Sequence, residues 1–500
     1  MLDYLFILNL WIILYKNVNI FNNISKIIYN IIYFAKKLQN KKIMLKCIRR
    51  KKGDNMLLNF SVENYKSFKD KISFSMIPAA KQKGLDYSVF SSEIGNKIIR
   101  SLCSSVIYGP NASGKTTVIG AMDTMRSLIL RGNILNVKDN RPNEASYYLE
   151  LIPNNTLKQR QPVKFSISFI ENEYHIEYSF SINLGLFLER KFERFIDEEI
   201  LNINGTNIFT RNKNQVDVHS PSKLTSLLNV DQKLIDIVND SLSDTELFLT
   251  NGFKLIISRK IAEMIIGWFE KKFMVIYRAN SLELKRNFEE DDKSGFYIEK
   301  TTNDAAKLFG LNSNAIGYVY SDEEHKAKLC SILDDPNTNN EALISSKVFE
   351  SYGTIRFINL FPLVLEAICT GGTLVIDEFD ASLHPMALMS IINIFHDDEI
   401  NIHQAQLIFD THNPIFLNNN LFRRDEIKFV ERNDDNISEL YSLSDFKTAG
   451  KMGVRKSDDY MKNYFVSQYG AIKDVDFSPL FQKLILGEKN QDGKKNNLEL

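Results

Sequence analysis

The chain of 500 residues contains little cysteine and no excess of either charge over its whole length. Its four cysteines are widely separated, which argues against a disulfide framework and a cysteine-based zinc motif and favours the reducing cytoplasm. They are Cys47, Cys103, Cys330 and Cys369. The seven histidines show no spacing typical of metal ligands. No heptad pattern continues over several heptads, so the sequence does not predict a long coiled coil.

The charges are balanced in number but unevenly distributed along the chain. Residues 1–55 hold 11 Lys and Arg residues and 2 acidic ones, which leaves 51 of the 62 basic and 60 of the 62 acidic residues for the remainder, a net charge of −9. A mildly acidic body produces no long-range field that attracts nucleic acid. Nucleic-acid binding is therefore not indicated, although the composition leaves room for a local basic groove.

The first 55 residues raise the question of where the protein begins. The apolar run 2–15 is shorter than the roughly 20 residues that a membrane span needs. It has no basic region before it and no small-residue cleavage site, so it does not fit a signal peptide. The codons for 51–56 can spell a bacterial ribosome-binding site followed by ATG. We hypothesise that translation begins at Met56 and that 1–55 is a non-native leader, with an amphipathic membrane anchor as the alternative.

Local patterns predict an α/β fold. Alternating apolar and polar residues predict antiparallel strands over 57–78, 163–170 and 174–182. Uninterrupted apolar runs predict buried strands over 102–108, 373–376 and 405–409. Helical spacing predicts helices over 116–130, 222–275, 322–333 and 354–369. The chain is long enough for several domain-sized units with a large core.

A phosphate-binding loop follows the first of the buried strands. Residues 109–117 read GPNASGKTT and match the pattern G-x-x-x-x-G-K-[ST] in full. In this motif the glycines let backbone N–H groups surround phosphate, Lys115 reaches the β- and γ-phosphates, and the Thr116 hydroxyl binds Mg²⁺. We therefore predict ATP and Mg²⁺ as ligands. The predicted nucleotide-binding residues of the loop are Gly109, Pro110, Asn111, Ala112, Ser113, Gly114, Lys115, Thr116 and Thr117.

Two acidic residues follow the buried strand 373–376. A strand that delivers carboxylates at its carboxyl end is what a P-loop enzyme needs to hold Mg²⁺ and to activate water. We assign Asp377 to the metal, directly or through water, and Glu378 to polarisation of the attacking water. The strand 405–409 leads to His412, which is placed to sense the γ-phosphate; a histidine that only caps a strand end is the alternative.

A short turn precedes the apolar helix predicted over 354–369. Ser351 and Gly353 lie at the N-terminus of this helix, which is a favourable position for an anion. N-capping of the helix by Ser351 or Thr354 is the simpler explanation, and the two roles are compatible.

In this order, the P-loop, the Ser-Gly turn, the Asp-Glu strand and the Thr-His strand resemble the ABC-type ATPase heads of transporters, chromosome-maintenance proteins and recombination-repair proteins. The resemblance implies a P-loop NTPase with an ABC-ATPase-like head: a mixed, antiparallel lobe, a RecA-like parallel core and a helical insertion. It also implies that Ser351 and Gly353 contact the γ-phosphate of ATP held by a second copy, in a head-to-tail dimer. Tyr352 departs from the small, acidic or glutamine residue that is commoner at its position.

The same resemblance divides the chain into segments. After the extension 1–55, an N-terminal ATPase lobe with the P-loop spans 56–218, and a mainly helical insertion spans 219–345. A C-terminal ATPase lobe with the Ser-Gly turn, the acidic strand and His412 spans 346–435. The segment 436–500 ends in a polar tail.

A closer resemblance is to the soluble AAA-family ATPases of the abortive-infection AbiL and RloA type. It is carried by FSVENYKSF at 60–68, the P-loop, IDEFDASLHP at 376–385 and C-terminal pieces at 423–427, 439–443 and 469–472. It implies a cytoplasmic, ATP-hydrolysing sensor or motor of an anti-phage system, with an effector protein encoded nearby and no membrane partner. It also implies that Ser382 and His384 lie near the dimer seam. A glutamine loop is expected too, for which Gln159 and Gln161 are both candidates.

Three other functions remain open. An ATP-gated nuclease of the OLD type would need Glu431 on an opening strand, but Arg432 stands where a glycine is usual and 69 residues follow Glu431. The acidic pair Asp458 and Asp459 fits a solvated turn better than a nuclease site. A transporter subunit fits the strand-rich stretch 160–210 poorly. A DNA-repair ATPase would be expected to show coiled coils or a basic face.

Overall fold

The structure is a computed structural model. It describes residues 55–80, 85–135, 150–189, 191–221, 228, 231–279, 296–321, 326–335, 340–448, 453–473 and 475–485. The predicted leader 1–55 lies outside these ranges except for its last residue, as does most of the predicted polar tail.

The secondary structure alternates between strands and helices along the chain. The described strands are β1 (Met56–Glu63), β2 (Ile72–Ser75), β3 (Val89–Ile94), β4 (Lys97–Leu102), β5 (Ser104–Tyr108), β6 (Val163–Glu171), β7 (Tyr174–Asn183), β8 (Phe195–Ile203), β9 (Thr206–Asn212), β10 (Gln215–Val218), β11 (Phe273–Ile276), β12 (Phe296–Tyr297), β13 (Ala315–Ser321), β14 (Lys326–Asp334), β15 (Glu341–Ser345), β16 (Thr373–Ile376), β17 (Gln406–Asp410), β18 (Ile427–Arg432) and β19 (Ser438–Ser442). The described α-helices are α1 (Lys115–Arg131), α2 (Gln232–Ser241), α3 (Arg259–Lys271), α4 (Lys300–Phe309), α5 (Ser346–Phe349), α6 (Tyr352–Thr370), α7 (Pro385–His396), α8 (Tyr460–Phe465) and α9 (Ser478–Ile485). A π-helical stretch, Leu249–Ile257, precedes α3.

Seven of the described strands form an antiparallel sheet in the order β10-β9-β8-β7-β6-β1-β2. The predicted hairpin over 57–78 is confirmed, because β1 pairs antiparallel with β2 and Val62 lies opposite Ile72. The predicted strands 163–170 and 174–182 are confirmed as β6 and β7. Buried residues of this sheet share one large apolar cluster with α1 and α3.

A second sheet, with the order β11-β16-β17-β5-β18-β19 among the described strands, forms the centre of the molecule. Its first five strands are parallel, and β19 is antiparallel to β18. Every residue of β5, β16 and β17 is buried, as the uninterrupted apolar runs predicted. Along β16, Val375 packs in the cluster of α1 and α3, whereas Leu374 and Ile376 pack with α6 and α7. The sheet therefore carries helices on both faces, which confirms the α/β fold class.

The side chain of Gln406 joins the two sheets. The backbone N–H of Leu57 donates to its Oε1 at 2.6 Å, and the Thr373 hydroxyl donates to the same atom at 3.0 Å. Its Nε2 donates to the carbonyl of Leu102 at 2.8 Å and to the Ser101 hydroxyl at 2.9 Å. A buried amide whose donors and acceptor are all satisfied fixes the position of β1 relative to β17.

The segment 219–345 differs from the predicted mainly helical insertion. It contains helices, but β11 belongs to the central sheet, and β12 to β15 form a four-stranded antiparallel sheet. The helix predicted over 322–333 is wrong, because the described part of this range is the strand β14. β14 pairs with β13 on one side and β15 on the other. Hydrogen bonds to two neighbouring strands outweigh the local helical pattern of a short polar stretch.

A group of three buried side chains also departs from the expectation of no metal-ligand cluster. Ligand atoms of Cys103, His396 and Glu426 lie within 4.8 Å of one another. The Ser104 hydroxyl lies between two of them, 2.9 Å from His396 Nε2 and 2.7 Å from Glu426 Oε1, to which it donates. Hydrogen bonds through Ser104 therefore account for this group, which sits at the amino end of β5. Among the described residues, Cys103 and Cys330 are free cysteines.

One helix among the described residues, α6, is long and apolar enough to cross a membrane by length and composition. It packs in the core beside the central sheet, with Leu360 and Val364 buried against Leu374 and its neighbours. A core helix of a folded domain accounts for its composition.

Candidate nucleotide-binding site

Three segments predicted to bind nucleotide meet at one edge of the central sheet. The P-loop 109–117 follows β5, Asp377 and Glu378 follow β16, and His412 follows β17. The strands β16, β17 and β5 are adjacent and parallel. Because the carboxyl ends of parallel strands share an edge, the fold brings the three segments together where open α/β sheets bind ligands.

The backbone of the P-loop has the shape that phosphate binding requires. Three of its residues have positive φ angles: Gly109 at 158°, Ala112 at 64° and Gly114 at 117°. Gly114 is the N-cap of α1, and no side chain of the described residues caps this helix end. Inward-turned N–H groups and the positive end of a helix dipole together form an anion-binding concavity.

Neighbouring segments pack so closely on the P-loop that its glycines are required. A Cβ on Gly109 would lie 2.2 Å from the carbonyl oxygen of Val430, in β18. A Cβ on Gly114 would lie 2.9 Å from Ser438 Oγ and 3.1 Å from Ser67 Oγ. Ser438 Oγ also donates to the carbonyl of Ser113 at 2.5 Å. The motif at 60–68 and the start of β19 therefore support the loop directly.

The Lys115 ammonium lies close to the loop and to the acidic groups of the neighbouring strands. Its Nζ donates to the carbonyls of Gly109 at 2.8 Å and Pro110 at 3.2 Å. Burial lowers the pKa of Lys115, whereas the charges of Asp410 and Asp377 raise it. The lysine thus stands between a phosphate-shaped loop and two carboxylates, as a group that binds phosphate beside a metal must.

Asp377 fits its predicted role as a metal ligand. Its side chain is 1% exposed, and the backbone N–H of Arg278 donates to Oδ2 at 3.1 Å. Oδ1 meets no donor in good hydrogen-bond geometry among the described residues. Burial raises the pKa of Asp377, whereas hydrogen bonds with the Arg278 N–H, the Asp410 carboxyl and the Thr116 hydroxyl lower it. A buried carboxylate oxygen beside a threonine hydroxyl suits Mg²⁺, which when bound would neutralise phosphate charge.

The backbone of Glu378 is held on both sides. Its N–H donates to Asp410 Oδ1 at 2.6 Å, and its carbonyl accepts from Arg356 Nη2 at 2.5 Å. Its φ angle is 51°, in the left-handed region that a non-glycine residue seldom adopts. Such a conformation persists where surrounding contacts impose it, and this is common at functional sites.

His412 lines a cavity of about 600 Å³ beside the P-loop. The cavity is also lined by Gly109, Asn111, Tyr464 and Lys473. Burial and the Lys115 charge lower the pKa of His412, whereas the carboxylates of Asp380 and Glu378 raise it. The protonation of the His412 imidazole therefore depends on the charges of Lys115 and of the candidate catalytic Glu378.

Comparison with protein families matches a part of the chain that contains these site residues. The family described as "AAA domain, putative AbiEii toxin, Type IV TA system" matches residues 104–418, a range that includes the P-loop, the acidic strand and His412. The chain belongs to this family. It is thus an AAA-family P-loop ATPase by fold and motif.

Two further comparisons add context to the family assignment. The AAA-family chain is similar to the SMC head domain from Thermotoga maritima at 12% identity and a TM-score of 0.31, over 77% of this chain and 98% of that one. Comparison with curated proteins finds no match.

The predicted residues of the Ser-Gly turn and His384 of this AAA-family chain have local contacts. Ser351 is exposed and caps α6, because its Oγ accepts from the Thr354 N–H at 3.0 Å. A Cβ on Gly353 would lie 2.5 Å from the carbonyl oxygen of Ser382. Neither Ser351 nor Gly353 is among the residues that line the cavity, and neither are Lys115, Asp377 and Glu378. His384 caps α7 through its Nδ1.

The candidates for the glutamine loop and for a nuclease site do not line the cavity beside the P-loop. Gln159 and Gln161 are both exposed, and neither lines the cavity. Glu431 accepts from the Tyr441 hydroxyl at 3.1 Å. The acidic pair forms local turns, as predicted: Asp458 accepts from the Arg455 N–H, and Asp459 caps α8.

Two residues of the AAA-family site were missed in the sequence. Asp410 ends a buried strand, so the pattern that singled out Asp377 applied to it as well. Arg356 is a charged residue inside a mostly apolar helix, and it is 6% exposed. A charge in such a position needs a partner, which here is the backbone of the loop after β16.

Proposed function

We propose that this AAA-family chain hydrolyses ATP with Mg²⁺ and works as a nucleotide-gated, head-to-tail dimer. The observation that carries the proposal is the meeting of Lys115, Asp377, Glu378 and His412 at the edge of the sheet beside a phosphate-shaped loop. Lys115 supplies a cation that binds phosphate, and Asp377 supplies a carboxylate that binds the metal. Glu378 supplies a carboxylate that polarises water, and His412 supplies an imidazole that contacts the γ-phosphate.

The position of the Ser-Gly turn supports the proposed dimer. Ser351 is exposed at the N-terminus of a helix of 19 residues, an end that attracts anions. Its hydrogen bonds are within its own helix end, which leaves the exposed turn open to a ligand from outside the chain. We infer that a phosphate bound by this turn would belong to ATP on a second copy. The Gly353–Ser382 contact would then join this turn to the segment after the acidic strand.

The first experiment measures ATP turnover by the purified chain with Mg²⁺. Lys115→Ala is expected to abolish turnover, and Glu378→Gln is expected to bind ATP without hydrolysing it. Size-exclusion chromatography of Glu378→Gln with ATP should show a dimer. Absence of turnover by the wild type at every protein concentration would overturn the enzyme, and a monomer with ATP would overturn the dimer.

Mixing two inactive variants tests the head-to-tail arrangement more sharply. Lys115→Ala damages the P-loop, and Ser351→Arg damages the turn that serves the partner's ATP. Each variant alone should be inactive, but a mixed dimer contains one site with both parts intact, so activity should return. Lys115→Ala mixed with Glu378→Gln is the matched control. Both changes affect the same half of a site, so this mixture should stay inactive.

We propose further that this ATPase acts in the cytoplasm as the sensor or motor of an anti-phage system of the AbiL or RloA type, with an effector encoded nearby. The family description and the motifs at 60–68 and 376–385 support this role. Bacteria that carry the gene with its neighbours should survive phage challenge better as a culture than bacteria with Lys115→Ala. Equal survival would contradict the defence role. Nicking of plasmid DNA by the chain alone would favour a nuclease instead.

A further inference from the structure

Two carboxylates, rather than one, stand at the predicted metal position. β16 and β17 are parallel neighbours, with Ile376 paired to Phe409. The next residues in register are Asp377 and Asp410. Side chains at paired positions of neighbouring strands point to the same face, and the strands lie about 4.8 Å apart. The two carboxyl groups therefore lie side by side, each only 1% exposed.

Each of these carboxyl groups has one oxygen that accepts from a backbone N–H and one oxygen that does not. Asp377 Oδ2 accepts from the Arg278 N–H, and Asp410 Oδ1 accepts from the Glu378 N–H. Asp377 Oδ1 and Asp410 Oδ2 meet no donor in good hydrogen-bond geometry among the described residues. The Asp377 carboxyl instead interacts with the Asp410 carboxyl and with the Thr116 hydroxyl. Buried polar atoms are rarely left in this state, because an unmade hydrogen bond in the interior is unfavourable. Two such atoms on adjacent carboxyl groups need a shared proton or a shared cation between them, and the test below separates the two.

The protein's own cation does not fill this position. The Lys115 Nζ donates to the carbonyls of Gly109 and Pro110 rather than to either aspartate. Oxygen atoms from carboxylates and a hydroxyl are the ligands that Mg²⁺ and Mn²⁺ prefer. The hydroxyl of Thr116 lies near Asp377, so a third oxygen is available.

We propose that Asp410 is a second carboxylate ligand, and that Asp377, Asp410 and Thr116 bind a divalent cation before any nucleotide arrives. Cation binding itself does not depend on the proposed ATPase activity; only the role of the bound cation in ATP hydrolysis does. With a single carboxylate, Mg²⁺ would be expected to arrive with ATP and to depend on phosphate oxygens for its affinity. With two buried carboxylates the site can hold the cation from the protein side alone.

The test is a titration of the nucleotide-free full chain with Mn²⁺, in which the electron paramagnetic resonance signal reports free Mn²⁺. We expect one site for each chain, with competition by Mg²⁺. Asp410→Asn removes the charge but keeps the shape and the acceptor for the Glu378 N–H. It should weaken Mn²⁺ binding at least tenfold. Asp380→Asn is the matched control, because Asp380 is a nearby acid outside the pair. It should leave Mn²⁺ binding within about twofold of the wild type.

The outcomes separate this inference from the proposed function. No Mn²⁺ site in the wild type, or equal affinity in Asp410→Asn, would overturn the inference even if the chain hydrolyses ATP. Mn²⁺ binding by a wild type that lacks ATPase activity would overturn the proposed function alone. If Asp410→Asn does not fold, the wild type decides: Mn²⁺ without nucleotide must raise its melting temperature.

Discussion

The guanidinium of Arg356 donates a hydrogen bond of 2.5 Å to the backbone carbonyl of Glu378. The other terminal nitrogen of Arg356 donates to the carbonyl of Ala279 at 2.5 Å. Arg356 lies in the first turns of α6, whose N-terminus carries Ser351 and Gly353. One buried side chain therefore connects the helix end proposed to read the partner's ATP with the loop that carries the candidate catalytic glutamate.

Replacement of Arg356 by methionine should uncouple this loop from α6. Glu378 would lose a charge-assisted hydrogen bond that holds its strained backbone, and an imprecise catalytic group typically costs 10- to 100-fold in rate. We expect kcat for ATP to fall by that order, with ATP affinity changed less than threefold. Steady-state kinetics and equilibrium binding of ATP measure the two quantities.

The control for this change is Arg259→Met. Arg259 also makes an ion pair, with Glu263, but its side chain is 80% exposed and lies on α3 away from the site. It should leave both kcat and affinity unchanged. A kcat of wild-type size in Arg356→Met would refute the coupling.

Alanine at Gly109 should destabilise the fold as well as the loop. The added Cβ would lie 2.2 Å from the Val430 carbonyl oxygen, which is backbone and cannot move without displacing β18. Overpacking of this kind costs about 1–3 kcal/mol. Gly267→Ala is the contrast, because nothing lies within 4 Å of its Cβ position inside α3, and it should gain about 0.5–1 kcal/mol. Urea unfolding measures both; an unchanged midpoint for Gly109→Ala would contradict the packing.

Asp123 should make the free energy of unfolding depend on pH. This residue of α1 is 2% exposed, and burial raises its pKa to about 7, although Arg126 opposes the shift. An unfolded aspartate has a pKa of about 3.9. Between those values the folded chain binds more protons than the unfolded chain, so stability falls as pH rises from about 4 to 7 and then stays level.

Asp123→Asn should remove this loss of folding stability at higher pH. At pH 8 it should be more stable than the wild type by up to about 4 kcal/mol, a figure set by the 1.36 kcal/mol that each pKa unit represents. The advantage should disappear near pH 4. Thermal unfolding across pH 4–8 measures it, with Asp240→Asn on the exposed side of α2 as the control. An advantage that does not vary with pH would show that Asp123 is not the titrating group.

The P-loop and the buried strands could be predicted from the sequence because their sequence signals are local. Lys115 and Thr116 stand in a contiguous motif, and β5, β16 and β17 are uninterrupted apolar runs. The strand β14 could not be predicted from the sequence, because its conformation depends on pairing with β13 and β15. Asp410 carried the same local signal as Asp377, but nothing in the sequence shows that the two strands are neighbours.

The sequence by itself determined the chemistry of this protein: a phosphate loop, a lysine, and acids at the ends of buried strands, in an order shared with AAA-type ATPases. Only the tertiary structure decided which groups meet. The register of β16 and β17 pairs Asp377 with Asp410, and the packing of α6 brings Arg356 to Glu378. The physical reason is that strand order, register and helix packing depend on contacts between residues far apart in the chain, whereas turn geometry and apolar periodicity depend on neighbours.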